Sequence, residues 1–272
     1  MLCCGRYERE LHNLTEVSSQ VMIYTHFLPP VAGTLRSPSI AVVADILRAT
    51  SVMSAALYSG VSEILPCLEV EEARLLAASM PDALLCGERQ GIMPEGFDLG
   101  NSPGDYTPAI CQGRRMVMTT TNGTRALMAC SSSKRLYTLS FSNIRAIFQA
   151  LAGTYQPIHL VGSGTDGQIS WEDSLACGML AHALLGAGHE PGDDSTQIIL
   201  SLYEAELGWM GIGQSGYQPR LVEILKRGRG GKRVCEIGLE KDIVEVARLN
   251  EFDILTQVFA SPWRIIQANP VI

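Results

Sequence analysis

Between Ile40 and Leu185 short β-branched runs alternate with helix-like segments, and that alternation leaves few folds open. Strands are predicted at Ile40–Ala44, Ser62–Pro66, Arg115–Thr120, Arg135–Leu139 and Ile158–Val161. Between and after them, helices are predicted at Thr50–Ser59, Glu69–Ser79, Thr124–Cys130, Asn143–Ala152 and Glu172–Leu185. The second of these opens on acids, as the helix dipole favours. Such a pattern predicts an α/β, three-layer fold, with a largely parallel or mixed sheet flanked by helices. Gly192–Arg227 reads as mostly helical, which adds a mainly helical C-terminal insertion. Gly228–Gly231 reads as a break, followed by a helix at Asp242–Leu249 and a strand at Phe252–Phe259. The polar, irregular stretch Met1–Gln20 is expected to be a flexible extension, and residues 21–272 one α/β domain.

The formal net charge of −7 argues against a nucleic-acid binder, whose affinity rests on neutralising phosphates with cations. No apolar run reaches membrane-spanning length, and Met1–Gln20 lacks the apolar stretch of a secretory signal. Eight cysteines are scattered without zinc spacing, and they are expected to be reduced, in a cytoplasmic protein. These readings point to a small-molecule partner, with no nucleic acid and no membrane, and leave a homo-oligomer open.

The chemistry concentrates in four clusters. The longest runs from Cys86 to Pro103, a loop with three carboxylates (Glu88, Glu95, Asp98), Arg89 and four glycines. Ordering so polar and glycine-rich a segment is costly, and such loops commonly bind or catalyse. Carboxylates suit a hard cation such as Mg²⁺, and Arg suits anionic oxygen. Together they suggest an enzyme for a phosphorylated substrate; a solvated surface loop is the plainer alternative.

Three further clusters follow predicted strands, where ligands of such sheets bind. Asp45-Ile-Leu-Arg48-Ala-Thr50-Ser51 offers an acid for a metal and an Arg for an anion, or merely a capped helix with a structural ion pair. Thr119–Arg125 offers hydroxyls and backbone N–H groups, or a plain turn and cap. Gly162-Ser-Gly164-Thr165-Asp-Gly167 precedes Glu172 and Asp173, which either ligate metal or simply open a helix. The glycines formally match a dinucleotide fingerprint, but His189–Asp194 does not read as the strand that should follow. Cys130–Arg135 is one residue short of a thiol-phosphatase loop. The basic run Lys226–Arg233 reads as a solvated loop.

Taken in order, the clusters resemble the 2-phosphosulfolactate phosphatase family. The matching segments are Asp45–Ser51, Gly87–Pro103, Thr120–Thr124 and Gly164–Asp173, and the resemblance spans roughly Val21–Phe259. It implies a Mg²⁺-dependent phosphoric monoester hydrolase that converts (R)-2-phospho-3-sulfolactate to 3-sulfolactate and phosphate, a step toward coenzyme M. Carried onto the matched positions and their neighbours, it implies catalytic carboxylates at Asp45, Glu88, Glu95 and Asp98. The expected metal ligands are Asp45, Glu95, Glu172 and Asp173. The expected substrate contacts are Arg48, Thr50, Arg89, Asn101, Thr120, Asn122, Gly123, Thr124, Arg125, Gly164 and Thr165. Two rival readings are a non-catalytic binder of a small anion and a dinucleotide-dependent enzyme using Gly162–Gly167.

Overall fold

The structure, a computed structural model, describes residues 20–35 and 38–268. Apart from Gln20, the expected N-terminal extension lies outside the described residues. In chain order the strands are β1 (Met22–His26), β2 (Ile40–Ala44), β3 (Glu63–Cys67), β4 (Leu84–Gly87), β5 (Arg115–Thr119), β6 (Arg135–Leu139), β7 (Ile158–Gly162), β8 (Glu190–Pro191), β9 (Leu255–Ala260) and β10 (Trp263–Ala268). The helices are α1 (Ala49–Tyr58), α2 (Val70–Ala78), α3 (Pro108–Cys111), α4 (Gly123–Ala129), α5 (Ile144–Leu151), α6 (Trp171–Gly186), α7 (Asp194–Tyr203), α8 (Tyr217–Arg227), α9 (Arg229–Glu236) and α10 (Glu240–Val246).

Among the described residues the strands form one mixed sheet, ordered β4-β5-β3-β10-β9-β6-β2-β7-β1-β8. β4, β5 and β3 are mutually parallel, as are β6, β2, β7, β1 and β8. The antiparallel hairpin β9–β10 joins the two groups. β2 is buried along its whole length, which explains its unbroken apolar sequence: a central parallel strand has both faces covered. Its two faces serve different layers. Ile40, Val42 and Ala44 pack toward α5 and α6 with Ile147 and Leu180, while Ala41 and Val43 point to the opposite face.

On that opposite face one core collects side chains from both parallel groups. Ile64, Met116 and Met118 come from one, Ala41, Val43 and Val161 from the other, with Val52, Met53, Ala56 and Leu127 of α1 and α4 among them. The sheet therefore bends around α1 and α4, with the hairpin at the bend. Small residues in α1 let it be buried from Ala49 to Leu57 without crowding the strands. The bend brings the carboxyl ends of β2, β4, β5 and β7 together, although β5 and β2 are far apart in sheet order.

The α/β reading, the mixed sheet and the helical C-terminal region match the structure. The sequence reading missed β1, β4 and β10, all amphipathic or short. Within Gly228–Gly231 the break is confined to Gly228, an extended residue between α8 and α9; Gly230 and Gly231 are helical, and close neighbours leave no room for a Cβ on either. The stretch His189–Asp194, read as lacking a strand, contains the two-residue β8, which pairs with β1. Among the described residues no helix is long and apolar enough to cross a membrane.

Candidate active site

The bent sheet encloses a cleft of about 370 Å³ lined by the ends of β2, β4, β5 and β7 and by α9. Asp45, the first residue after β2, lies on its floor. Its Oδ1 accepts the Ala49 N–H at 3.2 Å. Its Oδ2 sits against Gly123, where a Cβ would lie only 2.9 Å away, so any other residue there would crowd the carboxylate. Burial pushes the Asp45 pKa up to about 7, helped by the Glu88 and Glu172 charges and opposed by the Ala49 and Gly123 N–H groups.

Glu88 follows β4 and is buried, with both oxygens engaged. Oε1 accepts the Thr121 N–H and Oε2 the Gly91 N–H, each at 2.7 Å, so this carboxylate ties the loops after β4 and β5 together. Asn101 and Thr121 line the cleft with buried oxygens, Oδ1 and Oγ1, that have no hydrogen-bond partner in the structure. Buried polar atoms are rarely left so, which marks these two as positioned for something else.

The two acids that open α6 differ sharply. Asp173 Oδ1 accepts the Ile46 N–H at 2.8 Å and Oδ2 the Gly164 N–H at 3.2 Å, clamping the loops after β2 and β7. Glu172, 1 % exposed, has no partner for either oxygen. It is boxed in by α9: a Cβ on Gly230, which lines the cleft, would fall 1.8 Å from Glu172 Oε1, and one on Gly228 2.7 Å from Oε2. Burial raises the pKa of Glu172; the nearby Ser170 hydroxyl and its own N–H, neither in hydrogen-bonding geometry with the carboxylate, oppose the rise. Burial also raises Asp173, reinforced by the charges of Asp45 and Glu172. The Glu172 charge thus lifts both Asp45 and Asp173, and Asp45 also lifts Asp173.

Arg48 reaches the cleft but is committed to the protein. Its Nη1 donates to Asp242 Oδ2 at 2.6 Å and to Ser102 Oγ at 3.3 Å, and its Nη2 to the Gly91 carbonyl at 2.7 Å. Thr50 is a brace: its hydroxyl donates to the Asp45 and Leu139 carbonyls and accepts the Asp45 N–H. Thr120 and Thr124 bond each other at 3.1 Å and steady the start of α4. Asn122 and Thr165 line the cleft, and Gly164 is held beneath it by Asp173.

A sequence model described as 2-phosphosulpholactate phosphatase matches residues 29–259. The chain belongs to that family. Similar relatives are each named "Probable 2-phosphosulfolactate phosphatase". One from Synechococcus sp. (strain WH7803) is 42 % identical over 180 residues, 65 % of this chain and 73 % of the relative. One from Caldanaerobacter subterraneus subsp. tengcongensis is 34 % identical over 219 residues, 80 % and 86 % of the two chains. One from Deinococcus radiodurans is 35 % identical over 215 residues, 78 % and 85 %.

Several expected site positions of this 2-phosphosulpholactate phosphatase family member do not reach the cleft. Glu95 is exposed, and its backbone carbonyl is held by Arg74. Asp98 is exposed and accepts the Leu85 N–H at 2.8 Å, pinning the loop to β4. The physical reason is Phe97: it is buried between them, so its neighbours turn outward. Arg89 turns to the Leu68 carbonyl and Thr119 Oγ1, and Arg125 is exposed on α4. Neither lines the cleft.

Conversely, Gln90, Asp166 and Gly230 line it without having been expected to; Arg233, read as part of a solvated loop, sits on the helix α9 and lines it too, and Asp242 supports it. The one available signal for Arg233 was the pairing of glycines with cations in Arg227–Arg233, a run of small and basic residues that suits close packing beside an anion. The glycines after β7 do not form a dinucleotide turn. Thr165 and Gln168 exchange backbone hydrogen bonds in a tight reversal, and α6 begins only at Trp171.

Proposed function

We propose that this cleft hydrolyses a small, multiply anionic phosphoester, 2-phosphosulfolactate, to sulfolactate and phosphate, and that it does so with Mg²⁺. Family membership supports the phosphatase activity. The observation that supports the metal is the buried carboxylate of Glu172, which lacks a hydrogen-bond partner and whose charge raises the Asp45 pKa. Among the described residues no three Asp, Glu, His or Cys side chains form a ready-made cage. Mg²⁺ does not need one, because it commonly takes one or two carboxylates and completes its shell with water and substrate oxygens. Asp45, on the cleft, and Glu172, which does not line the cleft but lies buried directly behind Gly230, are the ligands that fit. Asp173 is a brace, since backbone N–H groups occupy both its oxygens.

Bound there, the cation would neutralise charge on the phosphoryl oxygens and act as a Lewis acid. The chain's own groups do the rest. Thr121 donates its unpaired hydroxyl to a substrate oxygen, whereas Asn101 Oδ1, which can only accept, suits a water molecule beside the phosphoryl group. Arg48, fixed by Asp242 and Ser102, places positive charge at the wall of the cleft. Glu88 orders the loops that carry Gly91 and Thr121.

Attack by water is favoured over a cysteine nucleophile. Burial pushes the thiols of Cys67, Cys86 and Cys130 up to about 12, which leaves almost no thiolate at neutral pH. Attack by Asp45 Oδ2, through an aspartyl phosphate, is the rival path for the same reaction.

Phosphate release from 2-phosphosulfolactate, measured in chelator and then across a Mg²⁺ titration, tests the reading. Release should be absent in chelator and return with Mg²⁺. Full turnover in excess chelator would overturn the metal, and tight sulfolactate binding without any phosphate release would favour the non-catalytic binder. A chiral-phosphate analysis separates the two chemical paths: water attack inverts phosphorus, whereas an aspartyl phosphate gives net retention.

A further inference from the structure

We propose that Arg233 holds the second acidic group of the substrate, the carboxylate or sulfonate left on the carbon skeleton, and thereby selects phosphoesters that carry one. This rests on the phosphatase reading above and extends it to substrate choice.

The charge inventory of the cleft leads there. Among the described residues the lining contributes Asp45, Glu88 and Asp166 on the acidic side, and Arg48 and Arg233 on the basic side. Arg48 is already balanced: its side chain is 3 % exposed, and Asp242 meets it at 2.6 Å. Arg233 is not. Its side chain is 47 % exposed, and Glu236, one turn away on α9, stands 3.7 Å off, beyond hydrogen-bond reach. Its one hydrogen bond runs from Nη2 to the Gln90 carbonyl at 3.2 Å. A guanidinium has five N–H donors in a planar fork, so Nε is free and Nη1, held only by the exposed Glu236 pair, can be turned to a planar or tetrahedral oxyanion.

The position of Arg233 is set by packing. α9 rests on Glu172 through Gly230, and Ile237 at its end approaches the Gly91 position so closely that a Cβ there would lie 3.1 Å from Ile237 Cδ1. With the Gln90 bond, these contacts hold α9 against the loop after β4, and Arg233 stands at the rim. Asp45 lies at the floor, 7 % exposed. A small substrate thus meets two regions at different depths: a floor of carboxylates, suited to a cation and a phosphoryl group, and a rim cation suited to a second anion. Arg rather than Lys fits that task, because its fork matches two oxygens at once.

The test compares two substrates in wild type, Arg233→Ala and Arg233→Lys. One is 2-phosphosulfolactate; the other is isopropyl phosphate, which has no acidic group besides the phosphate. Arg233→Ala should raise KM for 2-phosphosulfolactate by about tenfold or more, the loss of one charge-assisted contact, with kcat little changed. KM for isopropyl phosphate should stay the same, and Arg233→Lys should recover part of the loss. Equal losses on both substrates, or no change on either, would overturn the proposal. If wild type hydrolyses neither ester, the phosphatase reading fails on its own, and calorimetric binding of sulfolactate decides about Arg233. Weaker binding by Arg233→Ala supports the assignment, and unchanged binding overturns it.

Discussion

Replacing Gly230 by Ala sets two effects of opposite sign against each other. Gly230 lies in the first turn of α9, and there Gly→Ala ordinarily favours the helix by about 0.5–1 kcal/mol. The new Cβ, however, would fall 1.8 Å from Glu172 Oε1 and 2.9 Å from its Cδ. Non-bonded heavy atoms settle at about 3.5 Å, so one partner must give by more than an ångström. The end of a Glu side chain would usually swing away cheaply. Here it is buried, and Gly228 lies against its other oxygen. Overpacking of that kind costs about 1–3 kcal/mol, which set against the helix gain leaves a net loss of up to about 2.5 kcal/mol, centred a little above about 1 kcal/mol. For a chain of this size the melting temperature should drop by roughly 2–8 °C. Turnover should fall more steeply, since the displaced carboxylate is a proposed Mg²⁺ ligand.

Thermal melting and a Mg²⁺ activation curve are the assays, and a double-mutant cycle isolates the contact. In a Glu172→Ala background the clash is gone, so Gly230→Ala should there be neutral or stabilising. A higher melting temperature with wild-type turnover for Gly230→Ala alone would refute the packing argument. So would the same loss in both backgrounds.

Two further outcomes follow from the buried charges. Burial raises Asp45 from the ordinary 3.8 to about 7, so the unfolded chain gives up this proton first and stability from this group falls as pH rises between those values. His26 and His159 are lowered by burial and titrate in the opposite sense, so the readout is the difference between wild type and Asp45→Asn in chelator. Asp45→Asn should be the more stable, by an amount growing to on the order of 2–4 kcal/mol between about pH 5 and pH 8, and Mg²⁺ should narrow the gap; a gap that shrinks with pH in chelator would contradict the burial argument. Asp242→Asn leaves Arg48 buried without its counter-charge and should lower stability by about 3–5 kcal/mol in urea unfolding; a loss below about 1 kcal/mol would mean that Arg48 finds another partner.

The sequence by itself determined the layer order, and it did so through local signals. Ile40–Ala44 announced a doubly covered strand because burial on both faces removes polar residues. The four site clusters were legible because each sits where a strand ends, and within them Asp45, Glu88, Asn101, Asn122 and Thr165 do line one cleft. Their direction of facing was not legible. Glu95 and Asp98 share a motif with Glu88, yet burial of Phe97 turns them to solvent. Nor was the role of the basic run legible, because its meaning depends on what α9 packs against. Arg48 and Asp242 are 194 residues apart and meet only because the helical region folds back over the sheet. Strand propensity and hydrophobic period act over a few residues. The bend of the sheet around α1 and α4, and the docking of α9 on Glu172, are set by long-range packing of many small contacts. Tertiary structure alone therefore decided which carboxylates share the cleft and which arginine stands open at its rim.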